Sequence, residues 1–314
     1  QHPPAIAEQL ALTRVRQGRR VGFLTDAAVL DGLAAGVVRA LREDGPVPLP
    51  DGGAIVFSRT DRLDGVTVER GATAELIEAD EPAANLVITS QVAVKLFRHM
   101  TFGHTAEEEM ARHLTALGLP HVPPLLGAVT RTEPTGAKAP LALVYGHMQH
   151  QGNAADWTMA QLQRALDAAA STVDGARQRF EDEIAGMMAL LRNMGRRLGE
   201  LHAALSIPSD DVSFTPQEAS PEARAMWRTR AEATFAAALD VISRLPASDG
   251  ARPSRLADLQ GARAAMEERL GALYSGAALP VIRIHGRGGL PHMAVAGGGG
   301  AGVGGPRGAG GGAG

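Results

Sequence analysis

The chain has 314 residues, 45% hydrophobic and 21% charged, with 31 basic against 34 acidic side chains and a net charge of −3. It is long enough for two lobes around a real core, and its near-balanced charge gives no footing for a nucleic-acid or anionic-membrane partner. The absence of cysteine excludes disulfides, thiolate metal sites and thiol nucleophiles together.

No run of about eighteen apolar residues, the length a membrane helix needs, occurs anywhere, and the first residues lack the apolar core of a secretory signal. A cytoplasmic location is the expectation. The chain begins with Gln1 rather than Met, which suggests processing, a fragment or part of a longer fusion.

In chain order, a helix is expected over Leu30–Arg42, ended by the turn-rich run GPVPLPDGG, with short strands near Ala54–Ser58, Val66–Arg70 and Ala74–Glu78. Leu86–Ile88 and Val92–Phe97 flank Thr89-Ser90-Gln91 and read as a tight hairpin. In HTAEEEMARHLTALGLP, Thr105 and Glu108 have capping-box spacing, Ala106, Met110, Leu114 and Leu117 share a helical face, and Gly118 and Pro120 stop the helix. Strands near Leu125–Thr130 and Leu141–Tyr145 complete a small antiparallel sheet.

Helices dominate from about residue 154. Trp157–Thr172 is one, and Gly175–Leu205 is the longest. In the latter Ile184, Met187, Leu191, Met194, Leu198, Leu201 and Leu205 recur with helical spacing, the mark of a sustained buried stripe. Two further amphipathic helices cover roughly Pro221–Leu245 and Arg255–Tyr274, and Leu279–Ile284 reads as a short buried strand ending in His285-Gly286. Strands first and helices afterwards indicate an α+β protein with two unequal lobes.

Lys95 stands in the middle of the apolar run Val92–Phe97. An edge-strand lysine that snorkels outward fits this pattern, and so does a phosphate-binding lysine projecting from a sheet. The helix that follows, with Glu107, Glu108 and Glu109 in its first turn, favours the second reading, because a strand lysine paired with a helix glutamate organises nucleotide phosphates in kinase-like folds. The same acids would also complement the helix dipole. Helical angle slightly favours Glu107 as the partner and leaves Glu108 solvated.

The segments LVITSQVAVKLFR, HTAEEEMARHL and LGLPHVPPLLGAV, followed by HQGNAADWT, MGRRLGELHAAL, FTPQEASPEARAMWR and IRIHG, closely resemble maltokinases. These are aminoglycoside-phosphotransferase-like kinases that make maltose 1-phosphate from maltose and ATP. The resemblance runs from about residue 20 to 286. It implies a protein-kinase-like bilobal α+β fold: an N-terminal cap subdomain over residues 1–80, a kinase N-lobe over 81–147 and a truncated, mainly helical C-lobe over 148–286, before a Gly-rich disordered tail over 287–314. It further implies ATP and Mg2+ as cofactors, maltose or a related sugar as acceptor, and trehalose synthase as a possible fusion partner. By the family's pattern Glu109 pairs with Lys95, Val144–Gly146 form the hinge beside adenine, and His285 opens the catalytic loop.

Two stretches depart from the family. Where its phosphate loop is polar, this chain reads Asp80-Glu81-Pro82-Ala83-Ala84-Asn85, leaving backbone N–H groups as the main phosphate donors. Where its catalytic loop runs His-Gly-Asp-x-His, this chain reads His285-Gly286-Arg287-Gly288-Gly289, and no acidic residue follows Glu268. Arg287 therefore occupies the base position, and a guanidinium cannot accept a proton at neutral pH. The usual segment also supplies no metal ligand.

His202 is expected in the core rather than on zinc, Trp157 to pack between lobes or stack on a sugar, and Arg196 and Arg197 to be solvated. Of 38 glycines, 15 lie in the last 30 residues. Such a composition is expected of GC-rich DNA read in a second frame after codon 286. Sequencing the DNA across that codon tests this: another frame should encode an acid-containing kinase-like continuation, and its absence would refute the idea.

Overall fold

The computed structural model describes residues 11–30, 32–69, 75–78, 84–103, 105–244, 252–275, 280–284, 286, 288–296 and 300–303. It divides into two compact units, one formed by residues 1–201 with 285–314 and the other by 202–284.

The first unit begins with a two-stranded antiparallel ribbon, β1 (Ala11–Gln17) and β2 (Arg20–Thr25), turned at Gly18 with φ of 62°. Helix α1 (Leu33–Glu43) follows, then strands β3 (Gly45–Pro48), β4 (Ala54–Arg59), β5 (Glu75–Glu78), β6 (Ala84–Ile88) and β7 (Val92–Phe97). Helix α2 (Ala106–Leu117) leads to β8 (Leu125–Thr132) and β9 (Lys138–Gly146). Strands β3 to β9 form one antiparallel seven-stranded sheet in the order β3-β4-β8-β9-β7-β6-β5. The helices α3 (Ala154–Ala170) and α4 (Ala176–Leu205) come next, the last turn of α4 belonging to the second unit.

Period-two alternation splits the sheet into two faces. On one, Val92, Val94, Leu126, Val129, Ala142 and Val144 pack against Ala34, Val38 and Leu41 of α1. On the other, Leu125, Ala128, Leu143 and Tyr145 meet Phe97 and Ala111 of α2. Each fully buried aliphatic side chain here contributes about 1.5–3 kcal/mol. Gly118, with φ of 67°, closes α2 in the left-handed region expected of a helix stop.

The second unit contains α5 (Pro221–Arg244) and α6 (Arg252–Tyr274), which pack on each other. It also holds a minimal antiparallel ladder between β10 (Gln217–Glu218) and β11 (Pro280–Val281). Back in the first unit, β12 (Met293–Ala296) pairs with β13 (Gly300–Val303).

Several expectations change. The cap boundary at residue 80 does not divide the sheet, because β4 runs its full length along β8, from Ala54 opposite Thr132 to Arg59 opposite Gly127. The hairpin Leu86–Phe97 and the strands around residues 125 and 141 are present, but Val66–Glu69 form no strand and Arg70 lies outside the described residues. The expected buried strand over 279–284 reduces to two exposed residues, Pro280 and Val281, paired with β10. The long-helix stripe is only partly buried: Met194, Leu201 and Leu205 are covered, whereas Ile184, Met187, Leu191 and Leu198 are half-buried.

The disordered tail expected from residue 287 is contradicted at its start. A 3-10 turn at Leu290–His292 lies against α3, and β12 buries Met293 and Val295 to 4% and 3% exposure. Its backbone joins the connection into α3, with Gln151 donating to the Val295 carbonyl at 2.8 Å and Val295 donating to Gly152 at 3.0 Å. Alternation in Met293–Ala296 provides the two apolar groups this docking needs; composition averaged over the tail hid them. Residues 304–314 lie outside the described part.

Gly127 on β8 shows how closely α1 is seated. A Cβ there would lie 2.7 Å from Leu41 Cδ2 and 2.8 Å from the Ser58 carbonyl oxygen. Since the backbone atom cannot yield cheaply, Gly127→Ala should lower stability by about 1–3 kcal/mol. Urea unfolding checks this; an unchanged midpoint would show that α1 is not packed this way.

Candidate functional site

Strand β7 lies between β9 and β6, inside the sheet. Its even-numbered residues face α1, which turns Ala93, Lys95 and Phe97 toward α2. Lys95 is 0% exposed, so the snorkelling edge-strand reading does not hold. An ammonium in that position needs a counter-charge, because an unpaired buried ion costs several kcal/mol.

Glu107 supplies it. Lys95 Nζ donates to Glu107 Oε1 at 3.0 Å and to Oε2 at 2.8 Å, and the carboxylate is itself only 11% exposed. The Tyr145 hydroxyl, from β9, donates to Glu107 Oε1 at 3.2 Å. Lys95 Nζ also lies 5.3 Å from the Phe97 ring centroid, where the ring face favours a cation. Burial first, and the Glu107 charge second, push the Tyr145 hydroxyl well above its ordinary range, so it remains a proton donor.

The bidentate partner of Lys95 is thus Glu107, the residue helical angle favours, where the resemblance implied Glu109. A helix advances 100° per residue. With Glu107 turned to Lys95, Glu108 and Glu109 line a cavity beside Arg112 and Ser58. Glu108 is not solvated either: it accepts from Arg112 Nε at 2.9 Å, and Arg112 Nη2 reaches Ser58 Oγ on β4 at 2.9 Å. The capping box is absent as well, since Thr105 makes no side-chain cap bond and Glu108 is drawn to Arg112.

Val144 is fully buried in the α1-facing core, and its strand is paired on both sides, with Val94 and with Gly127. Its side chain is thus committed to packing. Gly146 ends β9, donating to the Pro124 carbonyl at 2.9 Å, and a Cβ there would sit 3.1 Å from Pro124 Cγ. The connection beyond it carries His147, whose N–H donates to the Gln91 carbonyl at 2.8 Å, and His150, whose ring meets that of His147 edge-on at 6.2 Å. Partial burial, then the neighbouring His150, hold the His147 imidazole below its ordinary range.

His285 and Arg287 lie outside the described residues, as do Asp80, Glu81, Pro82 and Ala83 of the expected phosphate loop. Between the first two, Gly286 adopts φ of 80°. A Cβ on Gly288 would lie 3.1 Å from Leu198 Cδ1. Among the described residues no group of three or more His, Asp or Glu side chains could hold a metal ion.

His202 is exposed rather than core, because its position falls off the buried stripe of α4. Trp157 is half-buried. Arg197 is not simply solvated: it pairs with Glu200 at 2.8 Å, and that hydrogen bond holds the Glu200 carboxyl below its usual range. Sequence reasoning missed Tyr145. Strand alternation was the available signal, since Tyr145 follows Leu143, the partner of Lys95, by two positions on the same face.

No protein-family model matches the chain, and no curated protein matches it by sequence. Among solved structures it resembles glucosamine kinase in complex with glucosamine, ADP and inorganic phosphate, with a TM-score of 0.52 and 22% identity over 92% of this chain and 59% of that one. Crystal form A of glucosamine kinase gives 0.52 and 22%, covering 92% and 57%, and crystal form B gives 0.51 and 20%, covering 90% and 59%. The chain thus spans less than three-fifths of the length of these structures. The likeness is one of fold: mixed helix and sheet, with an antiparallel sheet, as in a kinase-like sugar kinase.

Glu107→Ala should lower stability by about 3–5 kcal/mol, because it removes the bidentate carboxylate from a buried Lys95, and should cost more than Glu109→Ala. Denaturant titration of both variants decides, and the reverse ranking would restore Glu109 as the partner.

His147 gives a pH dependence. With its folded-state pKa depressed below the ordinary value of about 6.5, its contribution is present above that value and lost as pH falls through the folded value. Acidification from pH 7.5 to 5 should lower the Tm of the wild type more than that of His147→Gln. Parallel slopes would contradict the assignment.

Proposed function

We propose that the chain derives from an ATP-dependent sugar kinase of maltokinase type, and that as it stands it retains nucleotide-organising machinery without the groups that transfer the phosphoryl. The observation that carries this reading is the bidentate Lys95–Glu107 pair on an interior strand and its facing helix. A buried ion pair could serve packing alone. Its place in a fold shared with glucosamine kinase, one of whose structures holds ADP, favours the nucleotide role. The maltose acceptor and the bilobal arrangement rest on the sequence resemblance.

In this reading Lys95 offers positive charge to the nucleotide phosphates, and Glu107, oriented by Tyr145, fixes the ammonium. Lys95 is fully covered, so an opening has to precede phosphate contact, which lowers apparent affinity. Gly146 and the following connection border the adenine side. Arg287 in place of the acidic base leaves the sugar hydroxyl without a proton acceptor. A non-catalytic binding module is therefore the functional state we assign, in the cytoplasm, with trehalose synthase as a candidate fusion partner.

The test uses the full chain. ATP at about a hundred times its Kd should stabilise it by about 2.7 kcal/mol in a thermal-shift titration. Incubation with ATP, Mg2+ and maltose should give no maltose 1-phosphate by mass spectrometry. Product formation would overturn the non-catalytic assignment; the absence of any ATP-dependent shift would overturn nucleotide binding.

A further inference from the structure

A second cavity, which Lys95 does not line, measures about 830 Å³ and lies between α2 and the β4–β8–β9 part of the sheet. Ser58, Thr130 and Thr132 line it from the strands beside the apolar Val56 and Pro140, Glu108 and Arg112 form the helix wall, and Lys138 stands at the β9 rim. Gly103 closes one side by donating to the Lys138 carbonyl at 2.9 Å. The volume falls in the range of small-molecule sites, roughly 300–1,000 Å³.

Its lining selects a chemistry. Glu108 and Glu109 disfavour an anion, and Arg112 and Lys138 disfavour a cation, so the formal charges cancel. Apart from Val56, Pro140 and two glycines, what remains are Ser and Thr side chains, whose hydroxyls both donate and accept, beside carboxylates and cationic groups. Among the described residues no aromatic ring lines the space, so they offer no platform for a stacked planar ligand. We infer that this cavity binds a neutral polyhydroxylated molecule of mono- to disaccharide size.

The same helix turn carries both sites. Glu107 reaches Lys95 on one side, and the adjacent Glu108 is tied through Arg112 to Ser58 on the other. Thr105 gives that turn no side-chain cap and lines the cavity. A polyol bonded to Thr105, Glu108 and Arg112 holds the first turn of α2 in place and with it the carboxylate on Lys95. Occupancy is then felt as tighter nucleotide binding, and by linkage nucleotide tightens the polyol. Binding to the cavity needs no kinase activity; the coupling rests on the role proposed above for Lys95.

Hydrogen exchange on the full chain with glucose, maltose or sorbitol, each at millimolar concentration, tests this. At least one of them should slow exchange over residues 105–112 and 128–138 and tighten ATP binding about threefold. Thr130→Phe, which fills the cavity, should abolish both effects, as should the milder Thr132→Leu if the larger substitution fails to fold. The inference falls if none of the three slows exchange there, if protection persists in the folded cavity variants, or if protection is confined to residues 148–296. That last pattern would instead support a sugar acceptor site. Protection of the helix without any ATP binding leaves the cavity site standing and removes the kinase reading and its coupling.

Discussion

The structure turns on one desolvated charge. An ammonium at Lys95, on a strand flanked by two others, is tolerable only if a carboxylate meets it inside the protein. That requirement places α2: its first turn must lie over β7 and β9 so that Glu107 can reach both Lys95 and Tyr145. Docking of α2 buries Ala111 against Leu125, Ala128 and Leu143 and completes the second face of the sheet. The other face depends on α1 and on Gly127, whose missing side chain lets Leu41 approach. A pair of charges and a pair of apolar faces therefore specify the same arrangement.

Regular periodicity was legible in the sequence. The hairpin at residues 86–97, the stop at Gly118, the strands β8 and β9 and the long helix α4 all follow from alternation, helical spacing or turn residues. Less was legible where a side chain had two local options. Thr105 and Glu108 have capping-box spacing, yet Arg112 and Ser58 compete for the carboxylate from a distance in sequence and win. Helical angle pointed to Glu107, and the resemblance drew the assignment to Glu109; geometry agrees with the angle. The ribbon β1–β2 went unread because its arginines interrupt the apolar alternation.

Composition misled in the tail. Glycine and alanine average out to a segment with little to bury, but four alternating residues, Met293 to Ala296, are enough to add a strand to the connection before α3. This docking returns no carboxylate to the region, so the chemistry remains divided. Lys95 and Glu107 are paired in the described structure, whereas the sequence after Glu268 contains no acid.

The central claim is that Lys95, fixed by Glu107, is a nucleotide-phosphate ligand rather than a packing device. Calorimetric titration of the full chain with ATP, beside a Lys95→Met variant of confirmed fold, addresses it most directly. The account predicts saturable single-site binding by the wild type and a loss of at least tenfold in affinity for the variant. Equal binding by both proteins, or none by either, would contradict it.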